Sequence, residues 1–206
     1  TKKVVLTGNI LRQEIYHFSK DNSLKKKENL GILVLGGSQA AKIFAEKLPN
    51  IFKKCKDENI KLTILQQCLP SQNEELKNFY KSISIDCEIF NFNLNLLKYF
   101  SKVDLAITRS GSSMIAELIN CKIPFISIPL PTSADNHQLK NAAYFEKKQL
   151  GFLIEEKDID EKLFSLINLI HKDKDLLEKI KTEQEKNSDK KVFTIIEKEM
   201  RDFFDE

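Results

Sequence analysis

Apolar residues arrive along this chain in short continuous runs, separated by longer stretches with three- and four-residue spacing. "GILVLGGS" (31–38) ends in two glycines, the pattern of a parallel strand buried on both faces. Similar runs follow at "KLTILQQ" (61–67), "IDCEIFNF" (85–92), "VDLAITRS" (103–110), "IPFISIPLP" (123–131) and "GFLIEE" (151–156). After the first run, Ile43, Phe44, Leu48, Ile51 and Phe52 recur at helical spacing, and helix-length segments separate the others. Strands alternating with helices at this rhythm predict βαβ units. The expected fold class is α/β: a Rossmann-like parallel sheet with helices on both faces.

From about residue 158 the pattern is helical only. Ile159, Leu163, Leu166, Ile167 and Ile170 form one apolar stripe. The charged stretch 172–191 reads as an exposed helix pair with a loop near Asn187–Ser188, and 192–204 as a final amphipathic helix. The expected division is therefore 1–157, with a linker region and first helix in 1–20, followed by C-terminal helices over 158–206.

Composition narrows the partners. A net charge of +3, with lysines interleaved among acids, gives no electrostatic footprint for nucleic acid. Cys55, Cys68, Cys87 and Cys121 form no CxxC pair and read as reduced thiols. No apolar run approaches the roughly 18 residues that a membrane-spanning helix needs. Thr1 is not an initiator Met, and "KKVVLTGN" opens as mid-chain sequence does, so the chain reads as a fragment.

In an open parallel sheet, ligands bind beyond the carboxyl ends of the strands. Three loops there carry candidate chemistry. In "LGGSQAAKIF", Gly36 and Gly37 permit a tight turn and Ser38 can cap the next helix; this suits either a phosphate or an unliganded βα turn. It is neither GxGxxG nor a P-loop.

In "TRSGSSMIAELI" (108–119), Ser110–Ser113 offer a flexible turn and capping hydroxyls around Gly111. Met114, Ile115, Leu118 and Ile119 mark the buried face. Glu117 leans back toward the loop mouth, where its carboxylate suits a vicinal diol; the helix dipole alone is the other explanation for an acid there. Arg109 either faces a diphosphate or braces the loop.

In "PLPTSADNHQLKNAAYF" (129–145), Gln138 and Asn141 are neighbours on one helix face, and amides suit sugar hydroxyls. His137 is either a general base or, with no carboxylate paired to it by spacing, a capping residue.

Together, "GNILRQEI" (8–15), "LVLGGSQAA" (33–41), "DLAITRSGSSMIAEL" (104–118), "IPFISIPLP" and "DNHQLKNA" (135–142) resemble the C-terminal domain of MurG-type glycosyltransferases, over about residues 4–155. The resemblance departs at Ala40, at Gln66-Gln67-Cys68-Leu69 and at Leu94-Asn95. It implies the C-terminal half of a GT-B fold. It also implies transfer of N-acetylglucosamine from UDP-GlcNAc to lipid I, giving lipid II for peptidoglycan, at the cytoplasmic face of the bacterial inner membrane.

By resemblance, Arg12 and Ser38 line the nucleotide pocket, and backbone near Asn93 reads the uracil. Ser112, Ser113, Met114, Ile115, Ala116 and Glu117 hold the diphosphate and ribose, with Glu117 on the ribose hydroxyls. Gln138, with Asn141 near it, meets the sugar. The resemblance implies inverting chemistry without a cofactor or metal, and none of the three candidate loops carries an Asp-x-Asp clamp. It places the catalytic base and the acceptor in an N-terminal half; the C-terminal helices are expected to pack on their own domain and toward that half. Such a fragment would bind donor without catalysing. The alternatives are a related GT-B transferase or epimerase, a nucleotide-sugar-binding subunit completed by a partner chain, and a non-binding interaction module.

Overall fold

The structure is a computed structural model describing residues 4, 5, 7–18, 29–37, 42–93, 95–173 and 175–204, with Phe204 described for its backbone alone. Ser38, Ala40 and Leu94 lie outside the described residues.

Each predicted run contains a strand: β1 (Leu30–Leu35), β2 (Leu62–Gln67), β3 (Asp86–Phe90), β4 (Leu105–Thr108), β5 (Phe125–Ser127) and β6 (Phe152–Leu153). The helices are α1 (Gln13–Tyr16), α2 (Lys42–Asp57), α3 (Asn73–Ser82), α4 (Leu97–Phe100), α5 (Ser112–Asn120), α6 (His137–Lys147), α7 (Ile159–Lys172), α8 (Leu176–Lys186) and α9 (Val192–Phe204). β5 is shorter than its apolar run because Pro124 and Pro129, which flank it, have no N–H to give a ladder.

Among the described residues the strands form one sheet in the order β3-β2-β1-β4-β5-β6, with every neighbouring pair parallel. Alternate residues feed opposite faces, as the pleat requires. Ile32 and Val34 of β1 join Phe44, Leu48, Phe52, Tyr80, Leu163 and Ile167 in one core. Leu33 and Leu35 join Ile15, Tyr99, Phe100, Ile115 and Leu118 in the other. The sheet is thus covered on both sides, with α2, α3 and α7 on one and α1, α4 and α5 on the other.

The charged stretch 172–191 differs from the expected exposed helix pair. It forms one helix, α8, a break at Asn187–Ser188 and a 3-10 turn over Asp189–Lys191. Nor is α8 wholly exposed. Ile180 and Gln184 lie four apart on one face and are both buried. Gln184 donates Nε2 to the carbonyls of Ile123 (3.1 Å) and Leu150 (2.8 Å), which fastens α8 to the loops preceding β5 and β6. Among the described side chains of α9 only Val192 is buried, and Met200 and Phe203 are 54% and 75% exposed.

Candidate functional site

In this strand order the chain leaves β1 in one direction along the sheet and β4 in the other. That reversal opens a crevice between the loops at their carboxyl ends. Two of the three candidate loops leave from there, and the third leaves β5, next in the sheet.

The first loop turns at Gly36, which is buried, and Gly37, whose φ of +77° lies in the left-handed region that favours glycine. Ser38, the expected cap, lies outside the described residues. The second loop gives α5 an N-terminus unlike the one expected. Gly111 is the N-cap, in extended conformation, and no side chain caps the helix. Ser112 and Ser113 already lie inside α5 and are exposed, whereas Ser110 is buried with its Oγ unpartnered. The first amides of α5 therefore keep their donor capacity, and among the described residues no atom beyond the adjoining chain stands within 4 Å of where a Cβ on Gly111 would be. Ile115 and Ala116 are buried in the core, leaving their side chains a packing role. Met114 is partly buried.

Glu117 is not in the first turn of α5, so the dipole explanation for this acid gives way to a specific partner. Arg12, at the N-cap of α1, donates Nε to Glu117 Oε1 (2.9 Å) and Nη2 to Oε2 (2.8 Å). Side-chain exposures are 44% for Arg12 and 13% for Glu117, so the carboxylate is the sheltered member. The Arg12 pKa is raised, chiefly by the hydrogen bond to Glu117 and against an opposing effect of burial. A cavity of about 610 Å³ beside this pair is lined by Arg12, Asn95, Leu97 and Lys98. The arginine and the loop following β3 thus share one concavity. Within that loop Asn93 accepts the Asn95 N–H on Oδ1 (2.8 Å), an Asx turn that fixes the backbone.

The third loop is held by amides. Gln138 Oε1 accepts the backbone N–H of Leu130 (3.0 Å) and of Ser110 (3.3 Å), and Asn141 donates Nδ2 to the Ser110 carbonyl (3.2 Å). Two donors on the Gln138 oxygen fix which way the amide faces, so its outward group is the donor Nε2. Before α6, Asp135 (φ 49°) and Asn136 (φ 53°) are consecutive left-handed residues, a conformation that short polar side chains tolerate best. His137, the first residue of α6, donates Nδ1 to the Ala134 carbonyl (2.8 Å) and closes this turn, a structural contact; the N-cap, Asn136, gives α6 no side-chain cap.

Arg109 donates Nη1 to the carbonyls of Ile128 and Pro129 and pairs through Nη2 with Glu156. Of the departing residues, Gln66 is buried and accepts the Tyr80 hydroxyl (2.6 Å), which makes it a core residue. Cys68, Asn73 and Asn91 form a separate hydrogen-bonded cluster at the ends of β2 and β3. Among the described residues no group of three or more His, Cys, Asp or Glu gathers where it could hold a metal ion. None of the described helices is long and apolar enough to cross a membrane.

Residues 31–198 match the glycosyltransferase family 28 C-terminal domain. A UDP-N-acetylglucosamine–N-acetylmuramyl-(pentapeptide) pyrophosphoryl-undecaprenol N-acetylglucosamine transferase from Pelagibacter ubique is 38% identical over 90% of this chain and 52% of its own length. The enzyme of that name from Rickettsia bellii is 36% identical over 81% of this chain and 49% of its own. The chain thus spans about half the length of these curated relatives. The crystal structure of Acinetobacter baumannii MurG superposes with a TM-score of 0.71 at 23% identity, over 96% of this chain and 56% of that one. A putative UDP-N-acetylglucosamine 2-epimerase from Listeria monocytogenes gives 0.58 at 12% identity, over 86% and 46%. The fold is that of the C-terminal half of a GT-B glycosyltransferase, and the chain belongs to glycosyltransferase family 28 as its C-terminal domain.

Proposed function

We propose that this chain is the donor-binding domain of a transferase that moves N-acetylglucosamine from UDP-GlcNAc to lipid I, forming lipid II. The observation that carries this is the uncapped N-terminus of α5 at the sheet's reversal point, with a sheltered carboxylate on one side and a fixed amide donor on the other. The α5 amides at Ser112, Ser113 and Met114 suit the diphosphate, and their fixed dipoles would stabilise charge on the departing UDP. Gly36 and Gly37 belong to the same phosphate-facing turn, the one for which the sequence offers Ser38 as a cap.

Glu117 suits the ribose diol. A carboxylate has about four lone-pair sites, and the Arg12 fork uses one on each oxygen, which leaves acceptors for two hydroxyls. Arg12 both lines the pocket and holds Glu117 in place. Backbone at Asn93 suits the uracil edge. Gln138 presents Nε2 to a sugar oxygen, and Asn141 secures the loop beside it. Ile115 and Ala116 support the α5 turn from beneath.

The catalytic base and the lipid I site belong to an N-terminal half, and the exposed apolar side of α9, with Met200 and Phe203, suits packing toward it. The complete enzyme would work peripherally at the cytoplasmic face of the inner membrane, where its acceptor lies. The test is calorimetric titration of the chain with UDP-GlcNAc, UDP-glucose and UDP. Binding of UDP-GlcNAc with no transfer to lipid I is the expected result. Failure to bind any of the three, or transfer by this chain alone, would overturn the reading.

A further inference from the structure

Arg109 follows Thr108, the last residue of β4, and immediately precedes the Ser110–Gly111 turn into α5, yet its side chain, 12% exposed, runs across the sheet's carboxyl edge. Nη1 donates to the carbonyls of Ile128 (3.2 Å) and Pro129 (3.1 Å) at the exit of β5. Nη2 is ion-paired with Glu156 Oε2 at 2.5 Å, in the 3-10 turn (Glu156–Asp158) that follows β6. The guanidinium carbon lies 4.8 Å from the centroid of the Phe44 ring, near the start of α2 and fully buried.

One side chain therefore touches the segments after β1, β5 and β6 while its own backbone leads into the loop after β4. An arginine suits these contacts: its planar fork donates to the carbonyls, its charge is paired with the carboxylate, and its face stacks on a ring. Gln138 ties the same two loops a second time, through the N–H groups of Ser110 and Leu130. The gap between the α5 turn and the sugar-facing loop is thus set by Arg109 together with Gln138 and Asn141, whose Nδ2 donates to the Ser110 carbonyl. Paired with Glu156, the guanidinium is electrically compensated.

We propose that Arg109, with Glu156, is a positioning residue that sets the sugar-facing loop against the diphosphate-facing turn and touches no part of the donor. The inference rests on the donor-site reading above. It predicts that losing the brace weakens recognition of the sugar more than that of the nucleotide, because the β5 exit leads to Leu130 and Gln138, whereas the α5 N-terminus is built by its own helix.

The test is titration of wild type, Arg109→Lys and Glu156→Gln with UDP-GlcNAc, UDP and UMP, alongside thermal unfolding. Arg109→Lys keeps the charge but loses the fork and the stacking. It should weaken UDP-GlcNAc about tenfold and UDP no more than about threefold, a change in their ratio that a general loss of stability would not produce. Glu156→Gln should move the ratio in the same direction by about threefold, and it carries the test if the lysine variant does not fold. An unchanged ratio, or equal weakening of both ligands in step with the melting temperature, would overturn the inference. So would a loss confined to UDP over UMP, which would make Arg109 a diphosphate ligand. If wild type binds no donor, the donor-site reading fails and this inference with it; wild-type binding with an unchanged ratio overturns this inference alone.

Discussion

Arg12 and Glu117, 105 residues apart in sequence, meet in a two-point ion pair with N–O distances of 2.9 and 2.8 Å. The pair joins the segment entering the domain to the helix at the centre of the candidate site. Removing the carboxylate by Glu117→Ala should weaken UDP by about 1.5–3 kcal/mol, the range for hydrogen bonds to a charged group. Calorimetry decides this, and unchanged UDP affinity would end the ribose assignment.

Arg12→Lys keeps the charge and loses the fork. With Arg12 44% exposed, the pair should add no more than about 1 kcal/mol to stability. UDP affinity should nevertheless fall about tenfold, because Glu117 loses its fixed orientation. A variant that loses stability but keeps UDP affinity would show the pair to be architectural.

Gln138→Glu is nearly isosteric and preserves an oxygen to accept the Ser110 and Leu130 amides, but replaces the outward donor by an acceptor. UDP affinity should be retained while the advantage of UDP-GlcNAc over UDP disappears. Equal affinity of wild type and variant for UDP-GlcNAc would remove Gln138 from the sugar contacts.

Gln184→Leu strips the buried carbonyls of Ile123 and Leu150 of their donor. Unfolding free energy should fall by about 1–3 kcal/mol, the cost of leaving buried polar groups unpaired. Denaturant titration reads this, and UDP affinity measured on the folded variant should not change.

Alkaline pH probes the cores. Burial raises the thiols of Cys55 and Cys121 from 9.0 to about 12. Because the folded-state values exceed the unfolded one, their contribution is complete below pH 9 and is lost as pH rises toward 12. By about pH 10.5 the loss should be on the order of 2 kcal/mol per thiol. Urea midpoints at pH 8 and about pH 10.5 measure it, and Cys55→Ala with Cys121→Ala should flatten the difference. An equally steep decline in that double variant would assign the alkaline loss to other groups.

The inner strands β1, β4 and β5 were legible because both faces of the sheet are covered there, so each appears as a short apolar run, whereas β3, at the sheet edge, alternates polar and apolar residues. The three candidate loops were legible for the same reason, since each follows such a run. The cap of α5 was not. Local preference favours serine there, but Ser110 is drawn beneath Gln138 and Asn141, and Gly111 takes the position. The partner of Glu117 and the neighbours of Arg109 were invisible to spacing because they come from distant segments. α8 was misjudged because its buried face is so narrow: Ile180 and a glutamine, whose burial depends on carbonyls supplied by two loops.

The order of the strands also bears on how the chain folds. β1 and β4 are adjacent in the sheet, yet β2, β3 and three helices separate them along the chain. Their pairing therefore closes a long loop and is a contact of high order, entropically expensive and slow to form. The crevice between them does not exist in either half alone. A ligand seated there would bind only the fully assembled sheet, and would raise the free energy of global unfolding by about 2.7 kcal/mol at a hundredfold excess over its Kd. Hydrogen exchange of the slowest amides in β1 and β4 would then slow with ligand concentration, while fraying of α9 would continue at its own rate.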